Sequence, residues 1–225
     1  MKNSLVLIVV TISFLCCALS AKAQSPGGAT LVDEKGRPVQ DGTVLVKGKS
    51  IVLAAKVAPS DGGVPARITW SSAPAGAVDL KDDGNGRVRA TALRDWFDEM
   101  PRREPTARVI ACVNTVCVSA LITCLPEVTG RWPTRLLEGF FGATEDRNLV
   151  FVQDGRTITF DPEPFNLPDP GRIATLRLEG ASLRMVNSGN VITRFDGTLT
   201  SRSAGNGNWA SKWGFSGTWT AYKTQ

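Results

Sequence analysis

Histidine is absent from all 225 residues. Its absence removes the commonest general base and metal ligand, and with them Ser-His and Cys-His nucleophile pairs. There is no Gly-x-Ser-x-Gly elbow, because Gly214-Phe215-Ser216-Gly217 has the wrong spacing. Neither a Ser-x-x-Lys motif nor a glycine-rich phosphate loop ahead of a helix is present, and no cofactor is implied. Tyrosine occurs once, so an aromatic site must draw on six tryptophans and nine phenylalanines. Beyond residue 23 no apolar run approaches the roughly 20 residues that span a bilayer.

The one long apolar run lies at the start. Lys2 precedes an apolar stretch from Leu5 to Leu19, and Ala21-Lys22-Ala23 offers small residues at a cleavage position. This pattern predicts a secretory signal peptide over 1–23, a flexible leader over 24–28, and an exported product, periplasmic, extracellular or at the cell surface. Cys16 and Cys17 follow Phe14 and Leu15 rather than small residues, which argues against lipidation. Loss of Lys2 and Lys22 leaves 24 of the 26 basic residues against 21 acidic ones, shared evenly between the two halves. Such a surface gives no support to nucleic-acid binding.

Three cysteines remain after residue 23: Cys112, Cys117 and Cys124. A two-residue turn at Asn114-Thr115 places Cys112 and Cys117 on facing strand positions, where an oxidising compartment allows a cross-hairpin disulfide. Two reduced, packed thiols are the alternative. Cys124 is then left over, either buried as a small hydrophobe or available for an intermolecular link. A Cys-only zinc site is disfavoured, since no histidine can assist and oxidation competes for the thiols.

After the leader, short Val-, Ile- and Thr-rich runs alternate with Gly, Pro, Asn and Asp clusters, and no helical period emerges, which predicts an all-β fold. In the first half strands are expected near 29–33, 43–47, 50–58, 66–72, 77–80, 86–92, 106–113 and 116–123. Ile51, Leu53, Ala55 and Val57 alternate as one buried face requires, and Trp70 is the expected central core aromatic. Eight short strands ending in a hairpin predict an immunoglobulin-like β-sandwich over 29–125. The segments Gly48 to Val57, Ile68-Thr69-Trp70-Ser71-Ser72, Gly86-Arg87-Val88-Arg89-Ala90 and Ala107 to Ala111 resemble a group 2 bacterial immunoglobulin-like domain. That resemblance implies a stalk or adhesion module of a surface or secreted protein and carries no catalytic residues.

One stretch departs from that pattern. Leu93 to Pro105 is inserted where such domains pass briefly between strands, and it holds Trp96, Phe97, Met100, Arg102 and Arg103. These residues either fold against the sandwich or the second half, or form exposed anchors, since aromatic and Arg side chains dominate binding hot spots.

Leu125-Pro126-Glu127 marks a boundary, and 127–225 is expected to form a second domain, an antiparallel up-and-down barrel or a sandwich. Strands are expected near 128–132, 148–153, 156–160, 172–178, 181–186, 191–200 and 214–223, with hairpin signals at Asp154-Gly155, Gly180 and Asn187–Asn190. Gly130, Trp132 and Lys223 give this half a resemblance to the calycin arrangement of lipocalins and avidins, with Pro133 as a departure that could kink the first strand. Trp213, Phe215, Trp219 and Ala221 fall on one parity of the last strand. Together with Trp132 and Trp209 they form either an aromatic core or an aromatic binding surface.

Clustered carboxylates remain to be placed. Asp95, Asp98, Glu99 and Glu104 in the insertion, and Asp161 and Glu163, could serve a glycan-active enzyme only if two of them face each other across a cleft. Asp79, Asp82, Asp83 and Asn85 around Gly84 suggest either calcium ligands or a plain turn. The leading expectation is a secreted or surface-associated, non-enzymatic binding or adhesion protein whose partner is a protein, a glycan or a small apolar ligand. The alternatives are a calycin-like carrier with a cavity lined by Trp132 and Trp219, and a carboxylate-dependent glycan-active enzyme.

Overall fold

The computed structural model describes residues 29–56, 67–100, 102–113, 116–160, 173–187 and 192–224. The segments expected as signal peptide and leader, and Asp161 and Glu163, lie outside those residues. The protein is all-β, and among the described residues no helix is long and apolar enough to cross a membrane.

The first half contains β1 (Thr30–Asp33), β2 (Thr43–Val46), β3 (Ser50–Lys56), β4 (Ile68–Ala73), β5 (Val78–Gly84), β6 (Arg87–Ala92), β7 (Thr106–Val113) and β8 (Val116–Leu125). They form two four-stranded sheets, ordered β1-β3-β6-β5 and β2-β8-β7-β4. In immunoglobulin lettering these are A-B-E-D and A′-G-F-C, so the expected sandwich is present. Among the described residues of this half, only β2 pairs in parallel, with β8, and every other pair is antiparallel. Along β7 the residues Ala107, Val109, Ala111 and Val113 are buried and their neighbours are not, the period of a strand with one face on a core.

Trp70 departs from its expected place. It is half-buried at the edge of two apolar clusters, while the centre is built from Leu53, Ala90, Ala107, Val109, Ile122 and Cys124. Small residues on facing strands let the sheets approach without a central indole.

Cys112 and Cys117 are paired in register across the β7–β8 hairpin and joined by a disulfide. Cys124 is buried beside the Ala77 carbonyl, which takes it off the surface where a link to a second chain would have to form.

The second half is a closed antiparallel barrel, which settles the expected choice between barrel and sandwich. Its strands are β9 (Gly130–Glu138), β10 (Thr144–Asp154), β11 (Thr157–Phe160), β12 (Ala174–Glu179), β13 (Ser182–Asn187), β14 (Ile192–Ser201), β15 (Ala204–Ser211) and β16 (Ser216–Tyr222). β16 closes the barrel by pairing Gly217 to Ala221 with Glu138 to Thr134 of β9. Pro133 does not end β9. The Arg131 carbonyl accepts from Thr224, so this parity of β9 faces the β16 side, and the missing N–H of Pro133 leaves the β10 ladder intact.

β15 was not expected, because Ala204-Gly205-Asn206-Gly207-Asn208 reads as turn. The barrel needs glycine here. A Cβ at Gly197 of β14 would lie 2.3 Å from both the Asn206 carbonyl oxygen and Cζ2 of Trp219, and one at Gly205 would lie 3.3 Å from Cη2 of the same indole. These glycines clear the volume that Trp219 fills.

The aromatic parity expected for 213–221 is also corrected. Residues 212–215 form a turn between β15 and β16, so Trp213 and Phe215 do not share a strand with Trp219.

Candidate functional site

The barrel has two different ends. At one, the short turns at 155–156, 180–181 and 202–203 meet the inserted segment of the sandwich. At the other, the turn at 212–215 lies beside the loop at 139–143, linked by the Gly139 N–H donating to the Ser216 carbonyl at 2.9 Å.

The first end is a junction built by the insertion. Asp95 caps a single 3-10 turn, Trp96–Asp98: its carboxylate accepts the Phe97 N–H at 2.8 Å, and the Asp98 carboxylate accepts the Asp95 N–H at 2.9 Å. Trp96 and Phe97 are half-buried and pack, with Val44, against the apolar core of the barrel. Trp96 lies on the β12–β13 turn, where a Cβ on Gly180 would come within 2.7 Å of its ring. Arg202, in the β14–β15 turn, donates to both oxygens of Asp95 at 2.8 and 3.1 Å and also to Asp98. Lys47 pairs with Asp98 at 2.7 Å. Glu104 receives both terminal nitrogens of Arg156 at 2.6 and 2.5 Å, and the Gly180 N–H at 2.6 Å.

These pairings decide the chemistry of the carboxylate cluster. Burial alone would raise the Asp98 carboxyl, but hydrogen bonds from Lys47 and Arg202 outweigh it and hold the group well below the usual carboxylate range. Glu104 is lowered in the same way, the Arg156 hydrogen bond outweighing desolvation. Glu99 faces Arg94 at 3.3 Å and Arg103 at 3.5 Å. Each of these four carboxylates therefore has a cationic partner, and the shifts of Asp98 and Glu104 run opposite to the raised pKa of a glycosidase general acid. Arg102 is exposed, its guanidinium 5.2 Å over the Phe97 ring. In the β5–β6 turn, Asp82 accepts the Gly84 N–H and Asp83 pairs with Arg89, while Asn85 takes a φ of 53°. These contacts are those of a hairpin turn.

Trp132 and Trp219, which the carrier reading placed on a cavity wall, are buried with the other core side chains of the barrel. Trp132 is fully buried and donates from Nε1 to the Val128 carbonyl at 2.8 Å. Trp219 is stacked on Phe195, with centroids 4.7 Å apart, and donates to the Asp196 carbonyl. Phe160 links Phe195 to Phe151, and Phe151 packs on Trp132, so one aromatic chain runs through the interior. Lys223 lies over Gly130 and pairs with Glu127 at 2.6 Å.

The second end is the exposed one. Phe140 and Phe141 stand out from the 139–143 loop, 87% and 74% exposed and edge-to-face with one another. Trp213 and Phe215 are about half exposed on the neighbouring turn, with the Lys212 ammonium 5.1 Å over the Trp213 ring. Just inside lies a cleft of 360 Å³ lined by Leu136, Glu138, Thr144, Trp209 and Phe215 among others.

No family model and no curated protein matches this chain. Among solved structures, the chain aligns with domains 5-6 of the S-layer protein SbsC at 7% identity and a TM-score of 0.32, covering 82% of this chain and 81% of that one. The titin domains z1z2, solved in complex with telethonin, align at 12% identity and 0.29, covering 87% and 96%. The LD transpeptidase LdtMt1, solved in complex with imipenem, aligns at 14% identity and 0.24, covering 73% and 79%. Likenesses at these scores carry no argument.

Of the aromatic residues that the sequence singled out, the structure thus separates three groups. Trp96 and Phe97 join the halves, Trp132 and Trp219 fill the barrel, and Trp209 and Trp213 belong to its exposed end. Phe140 and Phe141 were missed. Their signal was present, a Phe pair between Gly139 and Gly142 where no buried strand face could absorb it.

Proposed function

We propose that this chain is an exported, non-enzymatic binding protein that presents the exposed end of its barrel to a macromolecular partner. The observation that carries the reading is the pair of adjacent loop tips bearing Phe140, Phe141, Trp213 and Phe215 at the end of the barrel away from the sandwich. Exposed apolar groups gathered in one place are unusual on a soluble surface and mark interaction sites. The sandwich then serves as a spacer: its insertion grips the opposite end through Trp96, Arg202 and Arg156 and directs the tips outward. The likeness of residues 29–125 to group 2 bacterial immunoglobulin-like domains supports a place on the cell surface, and the cross-hairpin disulfide suits an oxidising compartment.

The test is retention of the chain from residue 24 on immobilised glycans and surface glycoproteins, beside the double variant Phe140→Ser, Phe141→Ser. Saturable retention that the double variant loses is the expected result. Retention that both share, or none on any surface, would overturn the reading. Export is tested separately by joining residues 1–23 to a phosphatase that is active only outside the cytoplasm.

A further inference from the structure

Two buried polar groups at the exposed end of the barrel have no partner. Trp209 Nε1 and Ser211 Oγ are both shielded from solvent and make no hydrogen bond, although both residues are more than nine-tenths buried. The two core indoles of the barrel, Trp132 and Trp219, each donate to a carbonyl. An unmet buried polar group is costly, so two of them side by side on one strand need an account.

Both residues line the 360 Å³ cleft, within the range of small-molecule sites. The register explains why space exists there. Trp209 pairs with Gly217 and Gly217 with Glu138, so no side chain stands between the indole and the carboxylate. The remaining wall is largely apolar, from Leu136, Ala143 and Phe215.

We propose that this cleft binds a small, neutral, mostly apolar molecule that places a hydrogen-bond acceptor against Trp209 Nε1 and Ser211 Oγ. An indole N–H can only donate, which selects an acceptor such as a ketone or amide carbonyl. Glu138 and Glu145 line the same cleft and disfavour an anion. Glu145 already has a cationic partner in Arg147, whereas Trp209 Nε1 and Ser211 Oγ are shut off from solvent with no partner, so the unmet demand is for an acceptor rather than a cation. Phe215, half exposed on the adjacent turn, forms part of the apolar wall at the cleft.

The probe is 6-propionyl-2-dimethylaminonaphthalene, a neutral aromatic ketone whose emission shifts to the blue on leaving water, with 2-dimethylaminonaphthalene as the carbonyl-free control. The wild-type chain is expected to bind both saturably. Trp209→Phe keeps an apolar ring without the donor. It should weaken the ketone by about three- to tenfold, the worth of one hydrogen bond, and leave the control unchanged. Ala143→Trp, at an exposed position, fills the cleft and should abolish both even if Trp209→Phe folds poorly. Phe140→Ser with Phe141→Ser should leave probe binding intact, which separates this site from the partner surface. Absence of saturable binding, equal ketone affinity in wild type and a folded Trp209→Phe, or loss of binding in the Phe140, Phe141 double variant would each overturn the proposal.

Discussion

Arg202 lies 107 positions after Asp95 and grips its carboxylate through two nitrogens, at 2.8 and 3.1 Å. Asp95 is completely buried and Arg202 is 47% exposed. The pair joins the turn that the insertion makes in the sandwich to the β14–β15 turn of the barrel.

Removing the guanidinium leaves that carboxylate with Lys47 at 3.7 Å as its remaining cation. Arg202→Ala should therefore destabilise the chain by about 2 kcal/mol, less than the roughly 3–5 kcal/mol of a fully buried pair because Arg202 faces water. Urea unfolding of the two proteins measures it. A difference below about 0.5 kcal/mol would place the pair among inert surface bridges.

The junction should also weaken in acid. Asp98 and Glu104 have folded pKa values below their ordinary 3.8 and 4.5, because hydrogen bonds to Lys47, Arg202 and Arg156 overcome desolvation. Groups depressed in this way contribute their full stability above the unfolded pKa, about 4, and lose it as pH falls towards the folded values. Melting temperature should hold above about pH 5 and drop below about pH 4. The variant Asp98→Asn with Glu104→Gln should melt lower at pH 7 and show a shallower drop. An equally steep drop would assign acid sensitivity elsewhere.

Gly197→Ala tests the packing of Trp219. Its Cβ would meet the Asn206 carbonyl and the indole at 2.3 Å, and overpacking of this kind costs about 1–3 kcal/mol. Gly142→Ala meets nothing within 4 Å and bears only the strain of its φ of +65°, about 1 kcal/mol. Thermal melts should rank Gly197→Ala below Gly142→Ala, and the reverse order would remove the packing argument.

Burial pushes the Cys124 thiol up to about 11, and the group is out of reach of solvent. The folded chain from residue 24 should resist iodoacetamide at pH 8 and take up one equivalent once unfolded without reductant. Uptake by the folded chain would show that Cys124 is accessible. Replacing Cys112 and Cys117 with Ser should cost at most about 2 kcal/mol, since the bridged loop is short.

Much of the fold is local and was therefore legible. The strands expected near 106–113 and 116–123 are β7 and β8, and Cys112 faces Cys117 in the register of that pair. The misreadings also have local causes. Gly205 and Gly207 read as a turn because their strand role depends on Trp219, which lies on another strand. Trp213 and Trp219 were given one parity because nothing in Ser211-Lys212-Trp213-Gly214 distinguishes a turn from a strand until its hydrogen bonds are known.

The candidate site was half visible. Trp96, Phe97, Arg102 and Arg103 stood out as an aromatic and basic insertion, but the sequence carried no sign that Gly180 would meet Trp96 or that Arg202 would bind Asp95, while Arg102 and Arg103 stay exposed. The empty side of Trp209 could not be read either, since an unmet hydrogen bond is a property of its surroundings rather than of the residue.

The sequence by itself determined the all-β class, the succession of strands in the first half and the facing positions of Cys112 and Cys117, because alternation and turn chemistry act between residues a few positions apart. Tertiary structure alone decided the fate of the indoles, with Trp132 and Trp219 in the core, Trp96 at the junction, Trp213 in the open and Trp209 at a cleft. Burial is set by side chains that arrive from distant strands, and neighbours in the chain do not encode which of them will meet.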